Sequence, residues 1–85
     1  MILETAKHAP SRMKRYVAAL NKKRREQGNP VRFGLRWSKL DPLTIYLVRH
    51  ADGDTAIVAC WRRVATGWKG YSFQPNHRDV AIVAH

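Results

Sequence analysis

His50 and His77 are the residues of this chain best suited to moving protons near neutral pH, since an imidazole titrates there without help. Each lies close to guanidinium groups: Arg49 and Arg63 accompany His50, and Arg78 follows His77. One imidazole as base, a second as acid and an arginine to hold phosphorane-like charge would be enough for metal-free cleavage of RNA. The same positions fit a plainer role. His50 precedes Ala51-Asp52-Gly53-Asp54 and His77 follows Pro75-Asn76, so both flank turns. The plainer role carries more weight, and no catalytic residue is expected.

Metal chemistry has less to stand on. Cys60 is the single cysteine, and no His-x₃-His or Cys-x₂-Cys spacing occurs. Cys60 is expected to point into the core from mid-strand. Gly67-Trp68-Lys69-Gly70 lacks the glycine spacing and the following Ser- or Thr-led helix of a phosphate loop. Neither a metal nor a cofactor is expected.

The strongest signal is charge. Arg12 to Arg25 carries seven basic side chains and no acid. Met13, Tyr16, Val17 and Leu20 recur within it at i, i+3, i+4, i+7, which predicts an amphipathic helix. Arg12, Lys14, Arg15, Lys22, Lys23 and Arg25 fall around the rest of the cylinder. Arg24 projects close to the apolar direction, so either the packed part ends near Lys23 or its stem snorkels outward. An ordinary exposed helix mixes signs and gains from i,i+4 pairs, whereas Lys22-Lys23-Arg24-Arg25 repel one another. Such a face is the footprint expected of phosphate contacts or of docking on an acidic surface.

A second constellation is the face bearing Thr44, Tyr46, His50, Trp61 and Arg63, which flanking strands extend with Arg32 and Arg36 or with Lys69 and Tyr71. Aromatic rings beside guanidinium groups on a sheet can stack bases. Val48 and Ile57 share that face and need cover, from Ile2-Leu3 or from a C-terminal strand. Trp61, at the open end beside Arg62 and Arg63, is expected to stay exposed and to extend the basic surface.

Several elements must position these groups. Residues 1–10 form an N-terminal arm, with a short helical turn docking through Ile2, Leu3 and Ala6. A helix over 11–27 starts at Ser11 as N-cap and ends at Gly28 and Pro30. From Val31 the period changes to two, and Val31–Ser38 predicts a strand that Asp41-Pro42 breaks. Leu43–His50 and Thr55–Val64 flank Asp52-Gly53, the signal for a two-residue type I′ hairpin. With those two as the turn, paired numbers sum to 105: Ile45 faces Cys60, Leu47 faces Val58, and Thr44 faces Trp61. Ala65-Thr66-Gly67 is a turn into Trp68–Gln74, and Asp79–His85 reads as a last strand or a short helix. The fold class is α+β, with an N-terminal basic helix packed on an antiparallel meander of four to five strands over 31–85. Small basic ribonuclease toxins are similar in size, charge and layout, an analogy that carries over no residue.

The whole chain of 85 residues has a net charge of +10, enough for one modest core. Residues 1–30 contribute +6 (eight bases, two acids) and residues 31–85 contribute +4 (eight bases, four acids). A single cysteine, no leader-like start and no apolar run near the roughly 20 residues that span a bilayer predict a cytoplasmic protein without membrane attachment. The expected function is non-enzymatic nucleic-acid binding through helix phosphate contacts with weak sequence preference. A small cationic inhibitor docking on an acidic protein is the alternative, and a ribonuclease-like toxin the third.

Overall fold

The architecture comes from a computed structural model that describes residues 2–72. In chain order the elements are β1 (Glu4–Thr5), α1 (Ser11–Glu26), β2 (Arg32–Ser38), β3 (Asp41–Ala51), β4 (Asp54–Val64) and β5 (Gly67–Ser72). The strands make one antiparallel sheet in the order β1-β2-β3-β4-β5, with α1 laid on one face. This is the expected α+β layout of a basic helix followed by a meander. The expected turn at Pro75-Asn76 and the element at Asp79–His85 lie outside the described residues.

The N-terminal arm differs from expectation. Glu4 and Thr5 pair with Trp37 and Arg36 as a strand, not a helical turn. Ala6 continues the ladder, its N–H donating to the Leu35 carbonyl at 3.0 Å. An unpaired sheet edge offers backbone partners that an isolated turn of helix lacks. Ala6 and Ala9 are buried, while Ile2 is 83% exposed.

Ser11 lies inside the helix, and no side chain caps it. Pro10 is the N-cap, at φ −55° and ψ 146°, and its carbonyl accepts from Met13 and Lys14. The far end closes as expected. Gly28 has φ 66°, its N–H reaches the Arg25 carbonyl, and Asn29 N–H reaches that of Arg24. That double bond pattern is a Schellman stop.

Met13 and Val17 bury the inner line of α1 against Phe33, Leu35, Ile45 and Leu47. Asn21 adds a tie that the periodicity does not reveal. Its Nδ2 donates to the Phe33 carbonyl at 3.0 Å, and its Oδ1 accepts from Phe33 N–H at 2.7 Å. The amide thus stands where a neighbouring strand would pair, closing the part of the β2 edge that β1 does not reach.

The chain reverses at Lys39-Leu40 instead of Asp41-Pro42, with Ser38 Oγ accepting from Leu40 N–H at 3.1 Å. Register with β2 breaks there, pairing Ser38 with Asp41 and Trp37 with Ile45. Pro42 therefore sits in a stretch of β3 with no β2 partner, where its missing N–H costs no ladder bond.

Asp52 and Gly53 form the hairpin turn, with φ 50° and 79° as a type I′ turn requires. Near it the sum-of-105 register holds: Val48 faces Ile57, Arg49 faces Ala56 and His50 faces Thr55. Between Leu47 and Val48 it shifts, leaving Val58 as the extra residue of a β-bulge. Beyond it Leu47 faces Ala59, Tyr46 faces Cys60, Ile45 faces Trp61 and Thr44 faces Arg62. A slip of one residue exchanges faces. Trp61 enters the core beneath α1, and Cys60 turns to the opposite face.

Candidate nucleic-acid interface

Helix α1 turns most of its predicted cations outward. Arg12, Lys14, Arg15, Lys22, Lys23 and Arg25 are all exposed. At 3.6 residues per turn, positions about two or three turns apart share a line along the cylinder. Lys14 and Arg25 therefore run along one flank, Arg12 and Lys23 along the other, and Arg15 and Lys22 along the crest. Lys22 meets Glu26, the helix's acid, at 4.0 Å with both side chains mostly in solvent, a pair worth little. Lys14 Nζ donates to the Lys7 carbonyl at 2.6 Å. Lys7 and Lys14 thus rim a groove of about 430 Å³ between α1 and the β2 edge, floored by Val17 and Leu35. The periodicity of α1 does not reveal Lys7 there, because β1 pairs with an edge distant in sequence.

Arg24 resolves in favour of burial. It is 4% exposed, its guanidinium lies 6.0 Å from the Phe33 ring centroid, and Nη1 donates to Gln27 Oε1 at 3.0 Å. The packed line of α1 therefore extends past Lys23, and Arg24 holds the C-terminal turn to the sheet.

The structure separates the three residues expected to extend this surface. Trp61 is 1% exposed, with its ring edge-on to Tyr16 at 6.1 Å, so its expected exposure is overturned by the bulge at Val58. Its Nε1 finds no hydrogen-bond partner among the described residues. Arg63 stays on the helix-bearing side, 5.7 Å from the Trp68 ring centroid. Trp68 shares a cleft with Arg12 and Met13, so Arg63 continues the Arg12 flank. Arg62 pairs opposite Thr44 and Lys69 and belongs to the far face.

That far face assembles much of the second constellation. Arg32 faces His50 and Arg36 faces Tyr46; Cys60 lies between Tyr46 and Tyr71, and Arg62 faces Lys69. Its cations are partly occupied. Arg32 Nη1 donates to the Asn29 and Val31 carbonyls at 2.6 and 2.7 Å, and Arg36 Nη1 donates to Leu35 at 3.0 Å. The Arg36 guanidinium folds over Gly34, where an added Cβ would meet it at 2.9 Å. Val48 is wholly buried on this face. Cys60 is buried as expected, on the face it shares with Tyr46 and Tyr71. Burial raises its thiol above the ordinary range, Arg62 opposes this, and Asp41 adds to it. A thiol held neutral is a poor nucleophile and a poor metal ligand.

His50 is tied to Thr55 across the hairpin end, Nδ1 to Oγ1 at 3.0 Å. His77 and Arg78 lie outside the described residues. Among the described residues, no group of three His, Cys, Asp or Glu is placed to hold a metal, and no helix is long and apolar enough to cross a membrane. No protein-family model, no curated protein and no solved structure matches this chain.

Proposed function

We propose that this protein binds nucleic acid without chemistry, through phosphate contacts from the outer half of α1. One observation carries the reading. Arg12, Lys14, Arg15, Lys22, Lys23 and Arg25 occupy both flanks and the crest of one exposed helix whose acid is Glu26 alone. So many like charges within one helix repel each other, and a polyanion relieves that repulsion while releasing its own counterions. Arg63 extends the surface at the N-terminal end, while Trp61 takes no part. Phosphate contacts position a protein and carry little sequence information, so sequence preference is weak. A lone cysteine held as a thiol suits a reducing, cytoplasmic setting.

Titration of labelled single- and double-stranded DNA and RNA at two salt concentrations tests this, with Lys22→Glu/Arg25→Glu alongside. The expected result is binding that falls steeply with salt and is lost in the double variant. Absence of binding to every probe near physiological salt would overturn it and favour an acidic protein partner. Cleavage of the RNA probe, abolished by His50→Ala or His77→Ala, would overturn the non-enzymatic part.

A further inference from the structure

Resting on that nucleic-acid reading, the geometry points to a particular target: we infer that α1 enters the major groove of B-form duplex DNA and bridges both phosphate walls. The placement of charge across the helix makes the distinction. A single strand presents one row of phosphates, which one line of cations satisfies. Here the cations form separate lines on opposite flanks, Lys14 with Arg25 and Arg12 with Lys23. An α-helix with its side chains is about 10–12 Å across, and the B-DNA major groove is about 12 Å wide. Flank cations thus stand at the spacing of the two walls. Within each flank the pair is about 16 Å apart along the axis, or roughly five base-pair steps.

The crest fits the floor of the groove. Ala18 and Ala19 are exposed between Arg15 and Lys22, leaving the middle of the crest without bulk. Arg15 and Lys22 project towards base edges or the nearer phosphates. Glu26 closes the crest at its C-terminal end, just beyond the last of these cations. A-form RNA has a deep, narrow major groove that excludes side chains, which makes duplex RNA the discriminating control. The sheet beneath α1 fixes the helix before binding, held by Met13, Val17 and the Asn21 tie to Phe33. No ordering of the helix on the DNA is then needed.

The test uses the full chain with a 20-base-pair DNA duplex, its separate strand and an RNA duplex of the same sequence. A fourth probe is a DNA duplex whose cytosines carry a bulky glucosyl group in the major groove. The DNA duplex should bind at least about tenfold tighter than the other three at equal salt. Netropsin, which fills the minor groove, should not compete. Lys14→Glu and Lys23→Glu, on opposite flanks, should each weaken duplex binding, with circular dichroism confirming that both fold. Equal affinity for single strands or duplex RNA would overturn the groove assignment and leave the nucleic-acid reading standing. So would insensitivity to the glucosyl groups, displacement by netropsin, or an effect confined to one flank. Failure to bind any probe would remove both readings together.

Discussion

On the outer half of α1, Arg15, Lys23 and Arg25 are exposed and make no side-chain hydrogen bond or ion pair among the described residues. On the helix-free face of the sheet, Arg32 and Arg36 are half-buried and donate to backbone carbonyls. The same residue type therefore does different work on the two surfaces. The sheet cations help close the chain around Gly34 and Pro30, whereas Arg15, Lys23 and Arg25 add repulsion and leave their donors to solvent. Charge alone does not distinguish these surfaces, but the partners of each charge do. A cation that serves the fold is poorly placed to serve a ligand as well, and Arg15, Lys23 and Arg25 carry no such duty among the described residues.

The most forceful way to break this comparison is through Trp61, which lies buried under α1 although its place at the open end of the hairpin predicts exposure. Trp61→Ala should cost about 3–5 kcal/mol of stability, measured by urea unfolding. A loss under about 1 kcal/mol would return Trp61 to the surface, since exposed substitutions rarely cost more. Next comes the tie that fixes α1 against the β2 edge. Asn21→Ala should cost about 2 kcal/mol by removing both of its hydrogen bonds to the Phe33 backbone. Amide exchange at Phe33 should accelerate with it; unchanged exchange would mean that the edge is closed by something else.

The third effect is smaller and addresses the cations directly. Arg36→Ala should cost about 1 kcal/mol by removing a hydrogen bond and the cover over Gly34. Arg15→Ala and Lys23→Ala should change stability by no more than about 0.5 kcal/mol. Equal losses on both surfaces would erase the distinction.

The smallest effect is a pH dependence from Cys60. Its folded-state pKa is raised, chiefly by burial. The neutral thiol therefore contributes stability below its unfolded pKa of about 8.5, and that contribution is lost as pH rises towards the folded value. Stability should fall above about pH 8.5, and Cys60→Ala should show a shallower fall over the same range. Identical slopes would place the thiol in contact with water.

What could be read from the sequence follows the range of each interaction. Helix α1 was legible because Met13, Val17 and Leu20 repeat within a few turns and Gly28 ends it by a local rule. The Asp52-Gly53 turn was legible for the same reason, and so was the register next to it at Val48, Arg49 and His50. The Val58 bulge was not, because no turn residue or break in apolar character marks it. Val58 is as apolar as its neighbours, and the shift brings Trp61 edge-on to Tyr16 under α1. That one residue sent Arg62 and Arg63 to the faces they occupy, and so divided the expected basic surface. β1 and the Asn21 tie depend on an edge whose partners are distant in sequence. Arg24 was legible as an ambiguity, and the Phe33 ring decided it.

The central claim is that the outer half of α1 meets phosphates, and the salt dependence of duplex DNA binding measures this most directly. In wild type the slope of log K against log salt should exceed that of Lys23→Ala/Arg25→Ala by about 1.8, two contacts at roughly 0.9 each. An unchanged slope in that variant, with its fold intact, would contradict the account.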